Sequence, residues 1–223
     1  MHRPIAIAID GPASSGKGTV ARKVAQSLGY AYIDTGAMYR SVALMAARRD
    51  VDFSDAKALS ALTDGLNFAF SWSDGALQVR VDGEDVTDAI RLESVGKGAS
   101  DVSVHKGVRR ALVRRQRAMA ARGNVVMDGR DIGSVVLPDA ALKVYLDASV
   151  DVRAERRHKE LSARGIVVDL TTVRHEVSRR DQQDKERKEA PLIQAADAVY
   201  LDTTHLDPDA AAQTIIEMAH KQA

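Results

Sequence analysis

Gly11-Pro12-Ala13-Ser14-Ser15-Gly16-Lys17-Gly18-Thr19 lies between a short β-branched run, Ile5–Ile9, and a stretch, Gly18–Leu28, in which Val20, Val24 and Leu28 recur four apart. The run reads as a buried strand and the stretch as an amphipathic helix. Two glycines five apart followed by lysine, in a strand–loop–helix setting, is the P-loop spacing. The glycines let successive backbone N–H groups turn inward as an anion nest, and the helix N-terminus adds partial positive charge. Lys17 brings a mobile full charge for β- and γ-phosphates. Gly11, Pro12, Ala13, Ser14, Ser15, Gly16, Lys17, Gly18 and Thr19 are thus the expected seat of a nucleoside triphosphate. One position departs from the usual pattern. Where Ser or Thr would offer a hydroxyl to Mg²⁺ stands Gly18, with Thr19 one step later. No protein ligand to the metal is therefore assigned, and Mg²⁺ is expected to be held by phosphates and water.

Further along the chain, Ala31–Ile33, Val125–Met127, Leu142–Leu146 and Val199–Leu201 read as four more short strands. Helical stretches intervene, including Ala37–Arg48 and one capped at Asp207 with Pro208 in its first position. Strands alternating with helices imply an α/β fold, a parallel sheet covered on both faces. Segment 50–95 breaks that rhythm. Phe68, Phe70 and Trp72 alternate with polar or small residues, Asp74-Gly75 follows, and then Leu77, Val79 and Val81 alternate up to Asp82-Gly83. Period-two alternation around Asp-Gly is a hairpin signal. The segment reads as a small inserted lobe or as an edge extension of the main sheet. Its aromatics read as a core face rather than a stacking surface for bases.

Composition narrows the class. The chain has 223 residues, 45% of them apolar, no cysteine, and 32 basic against 31 acidic side chains. That is too apolar for a disordered chain and excludes a disulfide scaffold or a cysteine zinc site. No apolar run approaches the ~18 residues of a membrane span. The run Pro4–Ile9 is shorter than the h-region of a signal peptide, so a cytoplasmic protein is expected. The near-zero net charge argues against a coat for nucleic acid. It is also a cancellation: residues 50–95 hold ten acidic and three basic side chains, residues 97–122 one acidic and eight basic. Val108, Leu112 and Met119 give the basic stretch an apolar face, so it reads as a packed amphipathic helix with a basic side.

Nucleotide binding leaves switches, motors and kinases open. An Asn-Lys-x-Asp guanine motif is missing. Present instead are Gly11–Thr19, Ile33–Arg40, Gly83–Arg91, Ala99–Ser103, Val108–Arg117, Asp128–Gly133, and Arg179–Arg187 followed by Ala190-Pro191-Leu192. In these seven pieces, and over essentially its whole length, the chain resembles the bacterial cytidylate kinases. The resemblance implies a P-loop kinase with a five-stranded parallel sheet and a core formed by 1–49 and 96–223. It also implies that 50–95 is a monophosphate-binding insert and that a short mobile lid lies near 153–168. The implied reaction moves the γ-phosphate of ATP to CMP or dCMP with Mg²⁺. Carried onto this sequence, Arg40, Arg130 and Arg187 clamp phosphates. Ser100, Arg109 and Asp131 read the cytosine, Arg180 and Asp184 hold the ribose, and Thr35 and Tyr39 line the acceptor phosphate site. Arg153, Arg156 and Arg157 fall in the lid, Arg153 and Arg157 on the ATP side. His105-Lys106-Gly107 stands where a proline-containing turn is expected.

The chemistry agrees with this set on its own terms. Donor and acceptor are both polyanions, so the task is to bring phosphates together in line, for which planar, permanently charged arginine suits. A phosphate oxygen is already anionic, so no general base is needed, and no histidine falls inside these motifs. Plainer readings exist for two pieces: Asp128 and Asp131 as a loop cap, and Arg180 with Asp184 as an i,i+4 helix pair. The rival functions are a kinase for UMP, AMP or shikimate, and a nucleotide-gated RNA-binding protein using the basic helix. No membrane or nucleic-acid partner is expected, and nothing demands more than a monomer.

Overall fold

The structure is a computed structural model and describes residues 5–73 and 76–222. In chain order the elements are β1 (Ala6–Asp10), α1 (Lys17–Leu28), β2 (Ala31–Asp34), α2 (Thr35–Arg48), α3 (Ala56–Gly65), β3 (Phe68–Ser73), β4 (Ala76–Val81) and β5 (Glu84–Asp85). There follow α4 (Glu93–Ser103), α5 (Lys106–Ala120), β6 (Val125–Gly129), β7 (Leu142–Asp147), α6 (Val150–Ala163), α7 (Leu170–Glu186), β8 (Val199–Asp202) and α8 (Pro208–His220). The chain divides into two compact units, Met1–Tyr32 with Ala120–Ala223, and Ile33–Met119. Segment 50–95 falls within the second.

The main sheet has five strands in the order β2-β6-β1-β7-β8, so the expected parallel α/β sheet is present. β1 is central because Ile7, Ala8 and Ile9 are fully buried, as a strand covered on both faces must be. It pairs in parallel with β6 on one side and β7 on the other. β6 runs two residues past its apolar stretch because Asp128 and Gly129 stay in register with Ile9 and Asp10. The sheet therefore delivers two carboxylates, Asp10 and Asp128, to one end. α1 follows the loop with Val20, Ala21, Val24 and Ala25 on its buried face and closes at Gly29, whose φ of +68° is the left-handed cap glycine allows. α8 starts as expected, Asp207 accepting from the Ala210 N–H at 2.8 Å behind Pro208.

α6 and α7 pack on each other with a core of their own, Ala154, Leu161, Val173 and Val177, against which Val168 packs. α6 from Arg153 on and the connection to Val168 occupy the stretch 153–168 expected to be the lid. After β6 the chain makes a short, wide helical turn, Ile132–Val136.

In the second unit, β3 and β4 are antiparallel with Phe68 opposite Val81 and Phe70 opposite Val79. Leu77, Val79 and Val81 are buried, and the Arg115 guanidinium lies 5.4 Å from the centre of the half-buried Phe68 ring. The alternation in the sequence is thus one apolar face turned inward. The Asp74-Gly75 turn and the side chain of Trp72 lie outside the described residues. α5 is the expected amphipathic helix, with Val108, Ala111 and Leu112 buried. The break at Val104–His105 separates α4 from α5 without a proline. His105 Nε2 stands 2.7 Å from the Phe53 carbonyl, and a Cβ at Gly107 would lie 1.8 Å from Ser60 Oγ of α3. Close approach of α5 to α3 therefore sets that turn.

Candidate active site

The loop between β1 and α1 owes its shape to contacts on every side. A Cβ on Gly11 would lie 2.0 Å from the Leu146 carbonyl oxygen, so only glycine lets the loop leave β1 against β7. Ser14 has φ +58°, a left-handed conformation unusual for a residue with a side chain. The Ser15 hydroxyl is buried and has no hydrogen-bond partner among the described residues. A buried hydroxyl in that state suits an incoming phosphate oxygen. Lys17 bends back and donates to the Pro12 carbonyl at 2.9 Å. Burial, with Arg130 and Arg180 nearby, lowers its pKa from 10.5 to about 7, despite the opposing pull of Asp128 and Asp184.

Around the loop the first unit gathers charge. Arg130, at the end of β6, donates through Nε to Asp184 Oδ2 at 2.6 Å, with both side chains largely buried. Burial works against the Arg130 cation, but the carboxylates of Asp184, Asp128 and Asp181 outweigh it and raise its pKa. Burial likewise opposes the Asp184 carboxylate, yet Arg130, Arg187 and Arg180 hold its pKa below the ordinary range. Arg187, which caps α7, reaches Asp131 Oδ1 and Asp184 Oδ1 at 3.6 Å each and donates to the Ala190 carbonyl at 2.6 Å. Lys17, Arg130, Asp131, Asp184 and Arg187 are thus one connected group, with Arg180 on the same helix. The Arg180–Asp184 spacing is more than a solvated helix pair, because Asp184 is buried and bonded to Arg130.

The arginines of α6 divide. Arg153 is buried and donates to the carbonyls of Ala13 and Ala148 and to Asp181. Arg156 donates to the Ser15 carbonyl at 3.1 Å and the Thr203 carbonyl at 2.6 Å. Arg157 donates to Glu160 on its own helix at 2.8 Å.

In the second unit, Asp34 caps α2 by accepting from the Ala37 N–H at 2.8 Å, which places Thr35 in the first turn and Tyr39 and Arg40 one turn on. α2 packs on α4. A Cβ on Gly96 would meet Arg40 Nη1 at 3.0 Å, so the guanidinium lies flat across α4 and donates to the Ile90 carbonyl at 3.1 Å. Arg109 is buried with its guanidinium 5.7 Å from the centre of the Tyr39 ring, a cation–π distance. Ser100 is half-buried on α4, and its carbonyl accepts from Ser103 Oγ. Thr35, Tyr39, Arg40, Ser100 and Arg109 therefore belong to this unit, and the remaining expected residues to the other.

Three side chains that shape the site escaped the sequence reading. Asp10 accepts from the Ile132 and Gly133 N–H groups at 2.8 Å each, tying the end of β1 to the turn after Asp131. Burial raises its pKa to about 6 against those two hydrogen bonds. The signal was a carboxylate ending an apolar strand. Tyr32 donates to Asp128 Oδ1 at 2.8 Å, and a Cβ on Gly18 would lie 3.5 Å from that hydroxyl and 3.7 Å from Asp128 Oδ2. Asp128 and Tyr32 thus occupy the space beside the position that lacks its Ser or Thr. Asp181 is the third.

Comparison with known proteins decides the family. The family model described as cytidylate kinase matches residues 7–221. The chain belongs to the cytidylate kinase family. A relative named cytidylate kinase from Geobacillus sp. (strain WCH70) is 48% identical over 222 residues, covering 100% of this chain and 99% of the relative. Another of that name from Lactobacillus gasseri is 47% identical over 216 residues, covering 97% of this chain and 94% of the relative. A solved structure of an uncharacterized protein from Eubacterium ventriosum is 13% identical with a TM-score of 0.56, over 97% of this chain and 98% of that one. It bears on the fold of this cytidylate kinase family member alone. The chain is a phosphotransferase that takes a phosphate group as acceptor. No helix among the described residues is long and apolar enough to cross a membrane.

Proposed function

We propose that the protein transfers the γ-phosphate of ATP to CMP and dCMP, giving ADP and CDP or dCDP. The observation that supports this most is the largely buried cationic group of Lys17, Arg130 and Arg187 beside a P-loop, in a chain of the cytidylate kinase family. Carboxylates hold Arg130 and Arg187 in place, while Lys17, with its pKa lowered, has room for the charge of a phosphate. ATP's phosphates lie in the loop Gly11–Thr19, with Arg153 and Arg157 on the ATP side. Arg40, Arg130 and Arg187 take the phosphates to be joined, and Thr35 and Tyr39 the acceptor phosphate. Ser100, Arg109 and Asp131 read cytosine, Arg180 and Asp184 the ribose, and 50–95 is the monophosphate-binding insert. Positioning and fixed positive charge do the catalytic work, since the attacking phosphate oxygen needs no base.

Among the described residues no cluster of three or more acidic or histidine side chains could hold a metal. We take Mg²⁺ to be carried by the triphosphate and water, and Asp128, whose Oδ2 lies 3.7 Å from a Cβ built on Gly18, would be the carboxylate to accept from its water. Mg²⁺ arriving with ATP would supply charge neutralisation for the transferring phosphate. The protein acts in the cytoplasm as a monomer, with no nucleic-acid or membrane partner. Specificity constants for CMP, dCMP, UMP, AMP and shikimate with ATP test the acceptor. Preference for the two cytidine monophosphates is expected, and preference for another acceptor overturns it. RNA binding without acceptor-stimulated ATP turnover would favour the RNA-binding rival.

A further inference from the structure

The buried stripe of α7 runs Val173, Val177, Asp181, Asp184. The first two fill the apolar core shared with α6. One turn on, where the same face calls for another apolar residue, stands Asp181. Its partner Arg153 is equally buried on α6, so both helices bring a charge to a place where packing alone would put Val or Leu. Replacing a buried ion pair by well-packed apolar groups is often neutral or stabilising, so this pair is not needed merely to join two helices.

What an apolar pair could not do is hold a peptide. Asp181 Oδ1 accepts from the Ala13 N–H at 3.1 Å, and Arg153 Nη1 donates to the Ala13 carbonyl at 3.0 Å. The two side chains close the ring on each other, Nη1 to Oδ2 at 2.5 Å, and Arg153 Nε is anchored on the Ala148 carbonyl at 2.8 Å. Both backbone groups of one P-loop residue are therefore taken by a single ion pair. The next residue, Ser14, has φ +58°, a left-handed conformation that a residue with a side chain keeps only where its surroundings dictate it.

We propose that Arg153 and Asp181 form a clamp on Ala13 that sets the P-loop in its ATP-binding conformation. Both are positioning residues: they act on the phosphates through the loop, and Arg153 serves ATP in that way. The proposal rests on the loop being the ATP site. The clamp turns the Ala13 N–H away from the nest and fixes the peptide leading into Ser14, so that the amides from Ser14 to Gly18 are pre-set for phosphate oxygens.

The test uses the full chain and the non-hydrolysable probe AMP-PNP with Mg²⁺. Asp181→Asn and Arg153→Lys each break the ring while keeping near-native size. They are expected to weaken AMP-PNP binding, about tenfold for Asp181→Asn and less for Arg153→Lys, and to raise KM for ATP by similar factors. KM for CMP is expected to stay within twofold. The double variant Arg153→Met with Asp181→Leu refills the space with apolar groups. Because the Ala13 N–H and carbonyl lose their partners, its thermal midpoint is expected to fall no further than that of Asp181→Asn, with the AMP-PNP defect intact and KM for CMP unchanged, a separation that a purely structural pair cannot give. Wild-type AMP-PNP affinity in the folded double variant overturns the proposal, as does a rise in both KM values that merely tracks lost stability. A wild-type protein that binds AMP-PNP but does not phosphorylate CMP refutes the proposed acceptor and leaves this clamp standing. No AMP-PNP binding by wild type overturns both.

Discussion

With its pKa lowered to about 7, Lys17 should be about half charged at pH 7 before nucleotide binds, and ATP should restore its proton. Its amine is buried and donates to the Pro12 carbonyl, and burial together with Arg130 and Arg180 outweighs Asp128 and Asp184 and lowers its pKa from 10.5 to about 7. A triphosphate brings several negative charges against it and returns the pKa towards the ordinary value of about 10.4. The empty site is then about one-tenth protonated at pH 8 and half at pH 7, against nearly full protonation when occupied. Binding should take up about 0.9 proton at pH 8 and about 0.5 at pH 7, so affinity falls about fivefold between them. With Mg²⁺ saturating, which lowers the pKa of the terminal phosphate, the nucleotide is ionised at pH 8 and contributes little to the uptake. Calorimetric titration of AMP-PNP with Mg²⁺ in buffers of different ionisation enthalpy reads the uptake as a slope. Lys17→Arg, whose guanidinium is always charged, should give a slope near zero. A slope near zero for the wild type at pH 8, or proton release, refutes the reasoning.

Lys17→Ala should abolish transfer, and Arg40→Ala should cripple turnover with the fold retained; wild-type rates in a coupled ADP-release assay contradict both assignments. Arg130→Ala leaves Asp184 buried without its closest cation, which costs about 3–5 kcal/mol at pH 7. Because the Asp184 pKa is depressed, that stabilisation exists above the unfolded value of about 3.9 and is lost as pH falls through the lower folded value. The gap in thermal midpoint between variant and wild type should therefore close below pH 4, and an equal gap at pH 3 and pH 7 argues against the pair. Ser100→Ala and Asp131→Ala should lower kcat/KM for CMP more than for UMP, whereas equal loss with both denies them a part in reading the base. Gly11→Ala should destabilise strongly, since its methyl must displace the Leu146 carbonyl now 2.0 Å from that Cβ position; a variant with a wild-type thermal midpoint would falsify this steric argument.

Local chemistry in the sequence was enough to locate β1, the P-loop and α1, because a buried strand, a glycine turn and a helix each leave a distinct pattern in a few residues. The alternation through Phe68, Phe70, Leu77, Val79 and Val81 likewise gave β3 and β4 their inward face. α3 and α4 were not legible. Ala56–Gly65 buries only Leu59 and Thr63, and Glu93–Ser103 buries Val95, Ala99 and Val102 beside Gly96 and Gly98, a small-residue face that passes close to Arg40 and Phe53 and lacks the large apolar residues that mark a helix in sequence. β6 ran past its apolar core because register with β1, a long-range property, carried Asp128 and Gly129 along. In the site, residues within motifs were visible and their supports were not. Asp10, Tyr32 and Asp181 act on groups 122, 96 and 168 residues away, distances over which sequence pattern carries no signal. Arg153 could be named as one of the lid arginines, but only the fold reveals that its guanidinium faces Ala13 and Asp181.

The reaction itself is the most direct test of this account. Purified protein incubated with ATP, Mg²⁺ and CMP, followed by ion-exchange separation of the nucleotides, should yield CDP and ADP in equal amounts. ADP with free phosphate and no CDP, or no turnover until another acceptor is supplied, would contradict it.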